Sequence, residues 1–139
     1  MGGLINNRSD TPINFPLIRY ADVLLMYAEC LNEIGNTTEA ASYVNMVRAR
    51  VGMPEITASN KDDMFLAIKH EREVEMAGEG HSYMDYKRWG LLETLNGVPE
   101  LSLVGGTLYT HATASRDYLW PIPYGEIEKN EKLTQNTGW

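Results

Sequence analysis

Apolar residues recur at every third or fourth position in four stretches of the chain, and this spacing predicts four amphipathic helices. The predicted helices cover roughly residues 18–34, 36–51, 60–77 and 82–92, and their apolar faces are expected to form the core. These faces comprise Tyr20, Leu24, Tyr27, Leu31 and Ile34 on the first helix, Ala40, Tyr43, Val44, Val47 and Val51 on the second, and Phe65, Ile68, Arg72 and Met76 on the third.

Glycines and capping residues set the expected ends of these helices. Gly35 follows the first helix, where glycine readily adopts the left-handed conformation past a C-terminus. Asn36 is expected to cap the second helix, with Glu39 completing a capping box, and Asn60 is expected to cap the third. The solvent-facing side of the first helix is marked by Asp22, Glu29 and Glu33.

The first two helices are joined by a turn of two or three residues, which predicts an antiparallel hairpin. Ala28 and Ala40 stand where the two helices of a tetratricopeptide unit approach closely, although Val47 is bulkier than the usual alanine. The sequence contains one such unit, and a single unit cannot bury its outer face alone. The hairpin is therefore expected to stack on a further element.

The apolar period changes after the fourth helix. Residues 101–111, with Gly105-Gly106 at their centre, predict a β-hairpin. Residues 119–123 must be extended, because each proline disfavours helix in the residue before it. The expected fold is one mainly α domain of tetratricopeptide-like helical hairpins with a small β-hairpin and an extended C-terminal segment. Its parts are a lead-in (1–16), four helices (17–92), the β-hairpin and a loop (93–118), and a WPIP segment with a short helix and tail (119–139).

Charge excludes two classes of partner. Acidic residues outnumber basic ones 19 to 12, giving a net charge of −7, which argues against nucleic acid and against electrostatic binding to an anionic membrane. The start carries no apolar leader and no run approaches the ~20 apolar residues of a membrane span, so the sequence alone predicts a soluble chain. The single cysteine, Cys30, is expected to be buried and inert.

Metal and cofactor sites are not predicted. His70, His81 and His111 lie far apart in the sequence, and neither a His-Glu-x-x-His motif nor a cysteine pair is present. Among the aromatic residues, Tyr20, Tyr27, Tyr43 and Trp89 fall on helical apolar faces and are expected in the core. The residues Tyr109, Tyr118 and Trp139 lie in irregular segments and are weak candidates for ligand contact.

The most charged stretch, residues 71–90, has two interpretations. The first is a salt-bridged corner between two helices, since buried charges are usually paired. The second is a carboxylate-dependent hydrolase that uses Glu75, Glu79 and Asp85 as acid and base. The structural polar cluster of the first interpretation comprises Arg72, Glu75, Glu79, Asp85, Arg88 and Trp89.

Four segments of the chain carry a recognisable combination of motifs. They are RYADVLLMYAE (19–29), VNMVRARVGMP (44–54), EREVEMAGEGHSYMDYKRWG (71–90) and LWPIP with the following EI, N and LTQN (119–136). Together these segments resemble the SusD/RagB family of outer-membrane nutrient-binding lipoproteins, in its C-terminal portion only. Departures from the family pattern are mild: His81 stands where arginine is frequent, and Glu131 and Thr137 replace prolines.

This resemblance implies a non-catalytic function. The chain would be the C-terminal scaffold of a cell-surface protein that binds a glycan or another nutrient polymer and delivers it to a SusC-like TonB-dependent transporter. The parent lipoprotein would lie on the outer surface of the outer membrane. The charged stretch would then be architectural, with its side chains paired and buried around Trp89. The chain is also expected to self-associate through the face that upstream helices would cover. A helical-repeat interaction module without small-molecule ligand is the alternative, and the hydrolase is a further one.

Overall fold

The computed structural model describes residues 17–58, 60–95 and 116–139. The predicted lead-in 1–16 and the predicted β-hairpin 101–111 lie outside the described residues. The described chain contains helices α1 (Tyr20–Glu33), α2 (Thr37–Ala49), α3 (Lys61–Glu75), α4 (His81–Arg88), a 3-10 helix (Leu92–Leu95) and α5 (Tyr124–Ile127). The mainly α, tetratricopeptide-like class predicted from the sequence is confirmed. In the described ranges, no helix is both long enough and apolar enough to cross a membrane.

Two compact units divide between Met76 and Ala77. The first contains α1, α2 and α3, which pack on one another around a shared apolar core. The second contains α4, the 3-10 helix, α5 and the C-terminal segment. The expectation of a single domain over residues 1–139 stays a prediction.

The core of the first unit confirms part of the predicted apolar faces. Ala28 and Ala40 are fully buried, as expected where α1 and α2 approach closely. On α1, however, the buried positions lie to one side of the predicted face, and Tyr20, Tyr27 and Ile34 are exposed. The packing of α1 against both α2 and α3 buries the side that carries Asp22, Leu25 and Asn32, and this side is turned away from Tyr20, Tyr27 and Ile34. The buried apolar residues of this unit are Leu24, Leu25, Ala28, Leu31, Ala40, Val44, Val47, Met64, Ile68 and Met76.

Other core predictions were wrong in detail. Val51 is exposed because α2 ends at Ala49, and Phe65 is only half-buried because Met64 takes the buried position on α3. Tyr43 and Trp89 are half-buried rather than core. Cys30 is exposed, contrary to the predicted buried thiol. It follows the buried Ala28 by two positions, and two helical residues span about 200°, which turns it away from the core.

Helix capping agrees with the sequence at one of the two asparagines. The side chain of Asn60 accepts a hydrogen bond from the backbone N–H of Asp63 at 2.9 Å, as predicted for α3. Asn36 occupies the cap position of α2, but its side chain makes no capping hydrogen bond, so the predicted capping box is wrong. Instead, its backbone N–H donates to the carbonyl of Leu31 at 2.8 Å, which closes the end of α1 around Gly35 (φ +88°).

The C-terminal segment of the second unit is held by its own side chains. Gln135 accepts from the Ile122 N–H at 2.8 Å and donates to the Ile122 carbonyl at 2.9 Å. Asn136 donates to the carbonyl of Trp120 at 2.6 Å. The tail that the sequence described only as irregular and polar therefore holds the backbone of the WPIP segment in place.

Candidate functional site

The charged residues of the first unit form ion pairs across the three-helix core. Arg72 of α3 pairs with Asp22 of α1 at 2.9 Å, and both side chains are buried. Arg48 of α2 pairs with Glu71 of α3 at 2.7 Å. Asp22 was predicted on the solvent-facing side of α1. Its burial follows from Arg72, which α3 presents opposite to it.

Glu75 lies at the end of α3 and receives two arginines. Arg19, immediately before α1, donates to its carboxylate at 2.9 Å and to its backbone carbonyl at 2.8 Å. Arg50, immediately after α2, donates to both carboxylate oxygens, at 2.9 and 2.7 Å. A carboxylate held by two guanidinium groups is a strong and geometrically specific arrangement. Glu75 thus ties the start of α1 and the end of α2 to the end of α3.

In the second unit, Asp85 is buried and accepts from Arg88 at 2.9 Å, three residues later on α4. The guanidinium of Arg88 lies 4.7 Å from the ring centre of Trp89, within cation–π distance. The sequence predicted burial for all members of the polar cluster, but Glu79 and Arg88 are exposed and Glu75 is only partly buried. Exposure of Glu79 follows from its place in the turn between α3 and α4.

The predicted cluster is therefore distributed over both units. Its members Arg72 and Glu75 find their partners in Asp22, Arg19 and Arg50, which the sequence analysis did not name as partners. The sequence carries a signal that these residues need partners, but none that identifies which residues the partners are. Arg19 and Asp22 lie next to an apolar face, where a charge needs a counter-charge.

Of the weak ligand candidates, Tyr118 is tied into the protein. Its hydroxyl donates to Glu93 at 2.6 Å and accepts from the Leu92 N–H at 3.0 Å. The hydrogen bond to Glu93 raises the pKa of Tyr118, and desolvation adds to this. The other Glu93 carboxylate oxygen, Oε1, is buried and finds no hydrogen-bond partner among residues 17–58, 60–95 and 116–139. The hydroxyl of Tyr118 is thus used in hydrogen bonds within the protein.

Trp139 is half exposed, and its indole N–H donates to the backbone carbonyls of Arg116 at 3.2 Å and Leu119 at 3.1 Å. The Arg116 guanidinium lies 4.9 Å from its ring centre. Tyr109 lies outside the described residues. Ligand contact by these three candidates stays a prediction.

An aromatic pair that the sequence analysis did not single out lies in the second unit. Tyr83 of α4 and Trp120 of the extended segment meet edge to face, with ring centres 6.4 Å apart. Lys87, one turn after Tyr83, places its ammonium 5.1 Å from the Trp120 ring and 5.8 Å from the Tyr83 ring. The i, i+4 spacing of Tyr83 and Lys87 was visible in the sequence, but their approach to a tryptophan 33 positions beyond Lys87 was not.

Metal ligands are not grouped in the part of the chain that the structure describes: no three histidine, cysteine or carboxylate side chains are arranged to hold an ion. His70 is exposed and His81 is half-buried, and His111 lies outside the described residues.

Comparison with known proteins agrees with this architecture. A SusD-like protein of Formosa agariphila is 36% identical to this chain over an alignment of 140 residues. The alignment covers 94% of this chain and 27% of that protein. Another SusD-like protein of the same organism is 37% identical over 136 residues, covering 94% of this chain and 24% of the relative. This chain thus spans about a quarter of the length of these relatives.

Solved structures give the same result. A SusD-like protein from Bacteroides fragilis superposes with a TM-score of 0.73 at 30% identity, over 88% of this chain and 25% of that one. A SusD homolog from Bacteroides thetaiotaomicron superposes with a TM-score of 0.70 at 29% identity, over 88% and 26% of the two chains. The model of the SusD family matches residues 3–139, and the chain therefore belongs to the SusD family.

Proposed function

We propose that this chain is the C-terminal scaffold segment of a cell-surface protein that binds a glycan or another nutrient polymer. The longer protein, called the parent here, would deliver its ligand to a SusC-like TonB-dependent transporter. It would be a lipoprotein on the outer face of the outer membrane. The observation that carries the proposal is the family match over residues 3–139, joined to a length about a quarter of that of the relatives.

The ion pairs support a structural rather than a catalytic role. Catalysis by two carboxylates needs one of them to exchange a proton near neutral pH, in a cleft that a substrate can enter. Glu75 and Asp85, named for the hydrolase alternative, are each bound to arginine. Hydrogen bonds from arginine occupy lone pairs of these carboxylate oxygens, which leaves fewer of them to contact a substrate. We therefore propose that the chain is not an enzyme.

Ligand titrations of the parent test this proposal. Tryptophan emission is followed while the parent and, separately, residues 1–139 are titrated with a panel of oligosaccharides. We expect the parent to respond to at least one glycan. We also expect a SusC-like barrel to co-purify with the parent from outer membranes. A parent that responds to no glycan and co-purifies with no barrel would refute the proposal.

A specific observation also favours self-association of the isolated chain. A groove of about 440 Å³ runs between α1 and α2, and its apolar lining includes Tyr20, Leu24 and Met46. Tyr20 and Met46 are substantially exposed, which is typical of a surface that another element covers. We propose that residues 1–139 in isolation pair through this groove.

Light scattering on the isolated chain tests the pairing. Met46→Lys places a charge in the groove and should leave a monomer. Met53→Lys is the matched control, because Met53 is equally exposed but does not line the groove. A wild-type chain that is monomeric at all concentrations would contradict self-association, and so would equal effects of the two lysine variants.

A further inference from the structure

The second unit presents two flat aromatic rings to solvent at one place. Trp120 is 65% exposed and Tyr83 is 42% exposed, and their ring planes meet at 72°. Tryptophan and tyrosine bury large apolar area at little entropic cost when a flat partner covers them. The apolar face of a pyranose ring is such a partner.

Lys87 adds a cation to these rings. Its ammonium lies within 6 Å of both ring centres. In the described parts of the chain, no carboxylate lies within ion-pair distance of Lys87, whereas Arg88, Arg116 and Lys129 of the same unit each have one. An ammonium without a carboxylate, in a chain of net charge −7, still has donors to offer to an anionic ligand.

We propose that Tyr83, Lys87 and Trp120 form a binding site for an acidic sugar, a pyranose that carries a carboxylate, such as a uronic acid residue of a polysaccharide. The apolar face of the ring stacks on Trp120, and the carboxylate accepts a hydrogen bond from Lys87. A neutral sugar would use the rings without the ammonium, and a simple anion would use the ammonium without the rings. The proposal rests on the glycan-binding function proposed above and assigns it a class of ligand.

Isothermal titration calorimetry on residues 1–139 tests the site with three probes. These are a galacturonic acid trimer, the uncharged galactose trimer of the same linkage, and acetate. We expect the acidic trimer to bind more tightly than either of the others, and added salt to weaken it. Lys87→Met keeps the apolar stem and removes the charge. It should weaken the acidic trimer about tenfold and leave the neutral trimer unchanged.

Two further variants complete the test. Trp120→Leu keeps apolar bulk without a flat ring and should weaken both trimers. Lys132→Met is the matched control, because Lys132 is an exposed lysine of the same unit, and it should change neither affinity. Far-UV circular dichroism and thermal melts confirm that each variant is folded.

Equal affinity of residues 1–139 for the two trimers overturns the proposal. An affinity for the acidic trimer that Lys87→Met leaves unchanged also overturns it, and so does the absence of binding by either trimer. The glycan panel on the parent is read separately. If the acidic trimer does not bind residues 1–139 while the parent binds a neutral glycan, the proposed acidic-sugar site is refuted and the proposed glycan-binding function is retained.

Discussion

The buried pair of Arg72 and Asp22 gives the sharpest test of the first unit. Arg72 is 4% exposed and Asp22 is 6% exposed, and 2.9 Å separates the bonded nitrogen and oxygen atoms. Arg72→Ala leaves a buried carboxylate without its counter-charge. Removing one partner of a buried pair typically costs about 3–5 kcal/mol, because the remaining charge stays desolvated. For a chain of this size, we expect the melting temperature to fall by roughly 10–20 °C.

Urea denaturation followed by circular dichroism at 222 nm measures this cost. The matched control is Lys61→Ala, which removes an exposed ion pair between Lys61 and Glu33 (2.6 Å) and should cost at most about 1 kcal/mol. The double variant Arg72→Ala with Asp22→Ala should lose less than the sum of the two single variants, because neither charge is then left alone. An Arg72→Ala variant that is no more destabilising than Lys61→Ala, or single effects that simply add in the double variant, would contradict a stabilising buried pair.

Three further predictions concern single contacts. Asn45→Ala removes both hydrogen bonds to the backbone of Ile56 (2.8 and 3.1 Å) and should destabilise the chain by about 1–3 kcal/mol in urea denaturation; an unchanged midpoint would contradict this. Gly138→Ala should lower the thermal midpoint, since Gly138 has φ +91° and an added Cβ would lie 2.9 Å from the Cβ of Arg116; a midpoint equal to wild type would show that the tail shifts without cost. The pKa of Tyr118 is raised in the folded chain, so its stabilising contribution is complete below the unfolded pKa of about 10 and is lost as pH rises through the folded pKa. Stability of Tyr118→Phe, measured by urea denaturation from pH 8 to 11, should therefore fall less steeply with pH than that of wild type, and parallel curves would contradict the assignment.

Local rules predicted the helices well, because capping residues, glycines and the 3.6-residue period act within a few positions. The cap at Asn60 and the end of α1 at Gly35 are examples. The same rules misplaced Tyr20, Tyr27 and Cys30. The packing of α1 against α2 and α3 buries a different side of the helix, the one that carries Leu25 and Asn32, and the sequence does not say which side of a helix its neighbours cover. The family resemblance agreed with the mainly α class that the apolar period predicts, but it did not place these side chains.

Long-range pairing was the part that the sequence could not supply. Asp22 looks solvent-facing on its own helix, and only the approach of Arg72, 50 positions later, explains its burial. The contact of Lys87 with Trp120 is equally non-local. The charge pattern of residues 71–90 therefore indicated that ion pairs exist. It did not indicate that the partners of Arg72 and Glu75 lie on or beside α1 and α2.

The side-chain amides of Asn45 and Gln135 have a consequence for aggregation. Each engages both the N–H and the C=O of one isoleucine that lies outside the helices, Ile56 and Ile122 respectively. Each amide thereby takes the place that a neighbouring β-strand would occupy. Extended backbone with unpaired groups is a template for strand addition between molecules. At one position in each unit, a single side chain therefore occupies the backbone groups that a strand of another molecule would otherwise bind.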